Sequence, residues 1–453
     1  MDHVDAVPMA RPMNARPARR RHWPLWCVAP LLVAVVVEPR VSGTNLQLSI
    51  PGPMLHPIER PRQVRAADGQ LLLREALQYV NVADARAKFS VTGEGLTVAV
   101  LDTGLNLEHA DFKAAIKTSR NFSTDDKAAA DRVDDYSGHG TNVAGIIASN
   151  GPRRVDPKRS EAANLATHPS GLHQGVAIGS SIVALKVLPS ATWMPIEDAL
   201  QWVHDNHRTH GITVVNMSLQ SGENLQNDNE ARFERMRQTI GNLTKLRIPV
   251  VAAAGNAFAA AQSEQGMSYP AIIRETISVA AVYDADIKSD LPKRYPDWSG
   301  FTAIAERVKR GQITPFSQRL ATGALQTDLV APGAVIISTG VNGEFGESEQ
   351  EGSSQAAPVV SGIILLMQEW YREFQIAAEA GTDKVKAAKL REGAIHDPKY
   401  RPPVDKLLDW LRATEDVTDN YGDDDNVTNT NATFKRVDAV RAFTAMTSEL
   451  QKK

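Results

Sequence analysis

Four polar residues stand where an apolar run of this sequence stops, and together they are the types that hydrolyse an acyl bond. Asp102 closes Leu96-Thr-Val-Ala-Val-Leu-Asp and leads into Thr103-Gly104. His139 lies between two glycines in Asp135-Tyr-Ser-Gly-His-Gly-Thr141, at the start of a helical pattern. Asn256 ends Val250-Val-Ala-Ala-Ala-Gly-Asn, and Ser354 heads the most apolar helical stretch in Gly352-Ser-Ser-Gln-Ala-Ala-Pro358. A serine hydroxyl is a weak nucleophile near neutral pH; an imidazole can take its proton, and a carboxylate can fix that imidazole's tautomer and steady its charge. A helix N-terminus favours negative charge, so a serine there, with a side-chain amide beside it, can stabilise an oxyanion. One such donor is worth about a hundred- to a thousand-fold in turnover. Ser353 is a competing hydroxyl next to Ser354.

Such residues work only if strands and helices bring them together. Apolar runs at 96–101, 182–187, 212–219, 248–254, 276–282, 328–330 and 335–338 read as strands. The stretches at 139–149, 196–207 and 230–246 carry apolar residues at three- and four-residue spacing and read as helices. The strands are continuous Val/Ile/Ala runs rather than alternating ones, which predicts an α/β protein with a mostly parallel sheet covered by helices on both faces. In such a sheet ligands meet the carboxyl ends of the strands, where Asp102 and Asn256 stand. Pro358 is expected in the first turn of its helix. Three further helical patterns follow at 386–395, 405–413 and 436–446.

Asp-Thr-Gly at 102–104, Gly-His-Gly-Thr at 138–141, Ala-Gly-Asn at 254–256 and Gly-Ser-Ser-Gln-Ala-Ala-Pro at 352–358 resemble the signature blocks of the subtilisin-like serine proteases, the subtilases. Their order, Asp then His then Ser, is that family's. Gly175-Val-Ala177, Val215 to Leu219, Tyr269-Pro-Ala271, Pro315-Phe-Ser317 and Val330 to Gly333 match as well, so the likeness runs from about Asn81 to Met446. The resemblance implies a three-layer fold and a serine endopeptidase working through an acyl-enzyme. In it Asp102 orients, His139 is base then acid, Ser354 attacks, and Asn256 with the Ser354 N–H forms the oxyanion hole. The family spacing to Ala356-Ala-Pro358 selects Ser354 and leaves Ser353 to packing. Extended substrate is expected to lie along Ser218, Leu219 and Gln220, with Ala254 and Gly255 beside it.

The resemblance further implies that the chemistry needs no cofactor, and it allows a structural calcium ion with Asp111 as a ligand. Asp423-Asp-Asp425 reads as a solvated acidic loop rather than a cation site. Two residues depart from the family pattern. Gln355 replaces the usual methionine after the nucleophile, so activity is expected to survive peroxide. Gln220 replaces a usual glycine and puts a side chain where the peptide would lie.

The 453 residues, with 42% hydrophobic and 23% charged, exclude a disordered, fibrous or multi-span membrane chain. A net charge of −3 gives no global argument for nucleic acid, and none is expected as a partner. The single cysteine, Cys27, lies in the N-terminal apolar run, so a disulfide scaffold or a cysteine nucleophile in the body is excluded. Basic residues up to His22 followed by an apolar run at Trp23–Val37 mark residues 1–43 as a signal peptide or membrane anchor. A secreted, periplasmic or cell-envelope monomer acting on protein or peptide substrate is therefore expected, with a membrane tether through that segment as the variant case. Residues 44–80 read as a linker or short leader, too short for the family's folding-assisting propeptide, so unaided folding is expected. Residues 81–453 read as the peptidase domain, with surface insertions near 150–174 and 283–312. His109, His168, His173, His204, His207 and His210 are expected at the surface.

Overall fold

The structure, a computed structural model, describes residues 62–63, 73–112, 115–125, 129–150, 173–287, 292–297, 300–422 and 425–452. Its strands are β1 (Arg62–Gln63), β2 (Thr97–Asp102), β3 (Ile116–Asn121), β4 (Ser181–Lys186), β5 (Ile212–Met217), β6 (Val250–Ala253), β7 (Thr276–Tyr283), β8 (Lys293–Pro296), β9 (Thr302–Ala305), β10 (Leu329–Ala334), β11 (Ile336–Thr339), β12 (Glu347–Gln350), β13 (Glu415–Thr418) and β14 (Thr433–Arg436). Nine of them form one sheet in the order β13-β14-β10-β7-β6-β5-β2-β4-β3. Every pairing in it is parallel except that of β13 with β14. The chain leaves β2 toward β4 and β3, then returns to build β5, β6 and β7 on its other side. That reversal of direction opens a crevice at the carboxyl ends of β2 and β5.

The helices are α1 (Leu73–Tyr79), α2 (Val82–Phe89), α3 (His139–Ala148), α4 (Met194–His210), α5 (Glu234–Lys245), α6 (Ser353–Ala380), α7 (Lys384–Ala394), α8 (Val404–Arg412) and α9 (Ala439–Leu450). Alternate residues of each central strand feed different cores. Val98 and Val100 of β2 pack with α3, α6 and α9, whereas Ala99 and Leu101 pack with α4 and α5. Each buried strand thus serves two helical layers, and this is why its sequence is apolar throughout. The expected three-layer α/β architecture is what forms.

Four expectations need correction. Helix α1 lies inside the stretch read as linker, yet Leu73, Ala76 and Leu77 are buried in the main core. The segment near 283–312 is not wholly superficial: β8 and β9 pair as a hairpin, and Tyr295 is buried with its hydroxyl 2.7 Å from that of Tyr283. Pro358 falls in the second turn of α6, not the first. His109 and His173 are fully buried, and His207 is buried too. The apolar run at 23–37 and residues 151–172 of the other insertion lie outside the described residues, as does His168. Among the described residues no helix is long and apolar enough to cross a membrane.

Beyond α8 the chain returns to the sheet. The β13–β14 hairpin adds its edge, and Arg319, fully buried, donates to the two carboxylate oxygens of Asp419 at 3.0 and 3.2 Å. The guanidinium carbon lies 3.5 Å from the centre of the Phe258 ring.

Candidate active site

Asp102 is the last residue of β2, and Ser218 follows directly on β5; Leu101 and Met217 face each other in register. Ser218 is where α6 docks. Pro358 has no N–H to give the Ser354 carbonyl four residues back, and the Ser218 hydroxyl donates to that carbonyl instead, at 2.7 Å. Asn216 donates in turn to the Ser218 hydroxyl at 3.0 Å and accepts from the Ser361 hydroxyl at 2.9 Å. The Ser354 hydroxyl donates to the Ser218 carbonyl at 3.3 Å. A proline in α6 is thus matched by a serine at the end of β5.

His139 begins α3 and is fully buried, with its Nδ1 2.7 Å from Asp102 Oδ1. That oxygen also accepts the Thr103 N–H at 2.7 Å. A proton held on Nδ1 by the carboxylate leaves Nε2 as the basic nitrogen. The close approach requires Gly140: a Cβ there would stand 2.2 Å from the Gly104 carbonyl oxygen and 3.1 Å from the Asp102 Cβ.

Asp135 supports this corner, and sequence reasoning gave it no role. It accepts from the N–H groups of Ser137, Gly138 and Thr141 at 3.1, 2.8 and 2.9 Å and from the Thr141 hydroxyl at 2.7 Å. It also accepts from the Thr103 hydroxyl at 2.8 Å, and that hydroxyl takes the Gly140 N–H at 2.9 Å. One carboxylate therefore satisfies the otherwise orphaned first turn of α3 and ties it to the turn after β2. An Asp four residues ahead of a helix-opening His was the available signal.

Asn256 is oriented from the other side. Its Oδ1 accepts the N–H and the hydroxyl of Ser353 at 2.8 and 2.9 Å, and the same hydroxyl accepts the Gly255 N–H at 3.0 Å. With its oxygen committed there, the amide turns its donor end away from Ser353. Ser353 is therefore more than a packing residue. Gln220 reaches across to accept the Asn256 N–H at 2.7 Å. Gln355 is fully buried, its amide 3.3 Å from Gln350 Oε1 and 3.4 Å from Asn142 Oδ1, so α6 and α3 meet through side-chain amides.

Asp111 sits away from this corner. Its two carboxylate oxygens are buried with no hydrogen-bond partner. Burial, with the Glu347 charge beside it, pushes its carboxyl up to about 8. His173 Nε2 lies 2.7 Å from Glu347 Oε1, and burial lowers His109. Orphaned carboxylate oxygens suit a hard cation. Among the described residues no three His, Cys, Asp or Glu are grouped to hold a metal, so Asp111 would need other oxygen ligands. Asp423 and Asp424 lie outside the described residues.

Asp102 at the end of β2 thus holds His139 at the start of α3, and Ser218, just after β5, holds Ser354 at the start of α6. Residues 93–397 match the subtilase family, peptidase S8. The chain is 29% identical over 304 residues to the major intracellular serine protease of Bacillus subtilis (strain 168), covering 66% of this chain and 76% of that one. It is 26% identical over 292 residues to an extracellular serine proteinase of a Thermus strain, covering 64% and 54%. A solved protease structure from Pseudoalteromonas arctica superposes with a TM-score of 0.52 at 20% identity, covering 82% of this chain and 97% of that one. The chain belongs to the subtilase family and is a subtilisin-type serine protease. Intracellular and extracellular proteases thus both stand among its relatives.

Proposed function

We propose that this protein is an endopeptidase in which Ser354, His139, Asp102 and Asn256 carry the reaction through an acyl-enzyme. The 2.7 Å contact between His139 Nδ1 and Asp102 Oδ1, at the strand ends where Ser218 holds Ser354, is the observation that carries this reading. An extended peptide lies along Ser218, Leu219 and Gln220, with Ala254 and Gly255 on the facing edge. His139 Nε2 takes the Ser354 proton as Oγ bonds to the peptide carbonyl carbon. The oxyanion so formed is met by Asn256 Nδ2 and the Ser354 N–H, and Asp102 steadies the imidazolium. His139 then protonates the leaving amine, and water repeats the sequence to release the acid.

A fluorophosphonate should label the wild type and not Ser354→Ala. Casein cleavage by that variant should fall by on the order of a million-fold, a size known for this family. Labelling without cleavage would point to very narrow specificity or to acyl transfer, and absence of labelling to a peptide-binding role. We read Asp111 as one ligand of a structural calcium ion with no part in the chemistry. Chelation should then lower the melting temperature while activity per labelled site stays constant; a chelator without effect on Asp111-dependent stability removes the ion. Release beyond the cytoplasm through residues 1–43 is part of the same proposal, and cell fractionation tests it.

A further inference from the structure

The side chain at 220 gives this site a selectivity of its own. The segment after β5, residues 218–221, and the segment after β6, residues 254–256, leave neighbouring parallel strands and both reach the start of α6, so a substrate side chain beside Ser354 would enter a slot between them. Ser268 and Tyr269 close one end of it. The Ser221 N–H donates to the Tyr269 carbonyl and to the Ser268 hydroxyl, each at 3.0 Å, and the Ser268 N–H donates to the Ala254 carbonyl at 2.8 Å. Gln318 forms a further wall. Its N–H donates to the Gly255 carbonyl at 2.8 Å, and its side-chain amide donates to the Glu223 carbonyl and Asn224 Oδ1 at 2.9 and 2.8 Å.

Gln220 lies across this frame, 1% exposed, and its Oε1 accepts the Asn256 N–H. That contact fixes which end of the amide is oxygen, because the reverse orientation would set two donors against each other. Its Nε2 is then buried with two N–H groups and no hydrogen-bond partner. An unmatched buried donor is costly, and a bound ligand that brings an acceptor relieves it. When a peptide carbonyl sits on Ser354 with its oxygen toward Asn256, the side chain of the residue that supplies the carbonyl points between these two segments.

We infer that Gln220 makes this protease selective for cleavage after short, neutral, hydrogen-bond-accepting side chains, asparagine first and serine next. The inference rests on the endopeptidase reading above. The volume taken by the Gln220 side chain shortens the slot against Leu, Phe, Lys and Arg. Its Nε2 donates to the side-chain oxygen of the substrate. An ionised Asp would lose its hydration there for a single neutral donor, which makes it a poorer occupant than Asn.

The test uses the full chain, titrated with fluorophosphonate so that rates are expressed per competent site, on peptides differing only in the residue before the scissile bond. The wild type is expected to favour Asn over Leu in kcat/KM by at least about tenfold. Gln220→Gly, which empties the slot, should reverse that preference. Gln220→Glu, which keeps an acceptor for the Asn256 N–H but loses the donor, should erode the Asn preference without opening the slot to Phe. The same peptides binding to Ser354→Ala, followed by calorimetry, should keep the Asn-over-Leu order even if no bond is ever cut, which separates this inference from the endopeptidase reading. A wild type that cleaves and binds best at Leu or Phe, or a profile that Gln220→Gly leaves unaltered, overturns it.

Discussion

Two buried histidine–carboxylate pairs occur among the described residues, with the same separation but through different ring nitrogens. His139 Nδ1 lies 2.7 Å from Asp102, and His173 Nε2 lies 2.7 Å from Glu347. All four side chains are almost completely enclosed. The pairs differ in what surrounds them. Asp102 ends β2 and His139 opens α3, and Ser218, just after the neighbouring β5, docks the Ser354 helix. His173 and Glu347 stand where β12 meets the chain beyond α3, beside Asp111 and with no serine at the end of an adjoining strand. An imidazole held by a carboxylate therefore does not by itself mark a reactive centre; in the reading proposed above, the Ser354 hydroxyl and the oxyanion donors do.

The contrast can be broken by deletion. His139→Ala should lower peptide hydrolysis by on the order of ten-thousand-fold or more, read by casein assay. His173→Ala should cost about 3 kcal/mol of stability, because Glu347 is left as an uncompensated buried charge, yet preserve activity per labelled site, read by calorimetry and the same casein assay. Equal effects of the two substitutions on hydrolysis would abolish the distinction.

A third buried carboxylate sharpens it, since Asp284 has no histidine beside it. Burial, with Glu75 adding a like charge, pushes its carboxyl up to about 7. A folded-state value raised above the unfolded one favours the folded protein in acid, and that advantage is lost as pH rises from about 4 through 7. Asp284→Asn should therefore gain about 2 kcal/mol over the wild type at pH 8 and little at pH 4, measured by denaturant titration at both values. An unchanged difference across that range would mean that the carboxyl titrates normally.

The smallest effect concerns the oxyanion side. Ser353→Ala removes one of two bonds that fix Asn256 Oδ1 and should lower kcat about tenfold with KM little altered, since the Ser353 N–H still holds the amide. A fall in KM affinity alone would make Ser353 a packing residue after all.

Much of this was legible in the residues. Central strands such as β2 and β6 announce themselves because both faces are buried, and the functional residues close them. Strand β3, Ile-Lys-Thr-Ser-Arg-Asn, was missed because an edge strand with solvent on one side needs no apolar run. The family spacing separates Ser354 from Ser353 but leaves Ser353 to packing, because its partners Gly255 and Asn256 lie 98 and 97 positions away. His109 and His173 were expected outside since histidine is amphipathic; their burial depends on a carbonyl at Gly346 and a carboxylate at Glu347, distant in sequence and supplied only by folding. Helix α1 is one short turn pattern after a Pro- and Arg-rich stretch, too brief for its period to register.

The Arg319–Asp419 pair sets the true size of the working unit. The family match stops at residue 397, so a protein trimmed to that length would discard Asp419 and leave a guanidinium stranded in a dry interior against Phe258. Arg319 follows Gln318, whose N–H holds the Gly255 carbonyl, and Gly255 precedes Asn256. Homology would therefore draw the cutting line in the wrong place: the segment that carries the Asn256 amide is braced by a hairpin that lies beyond it.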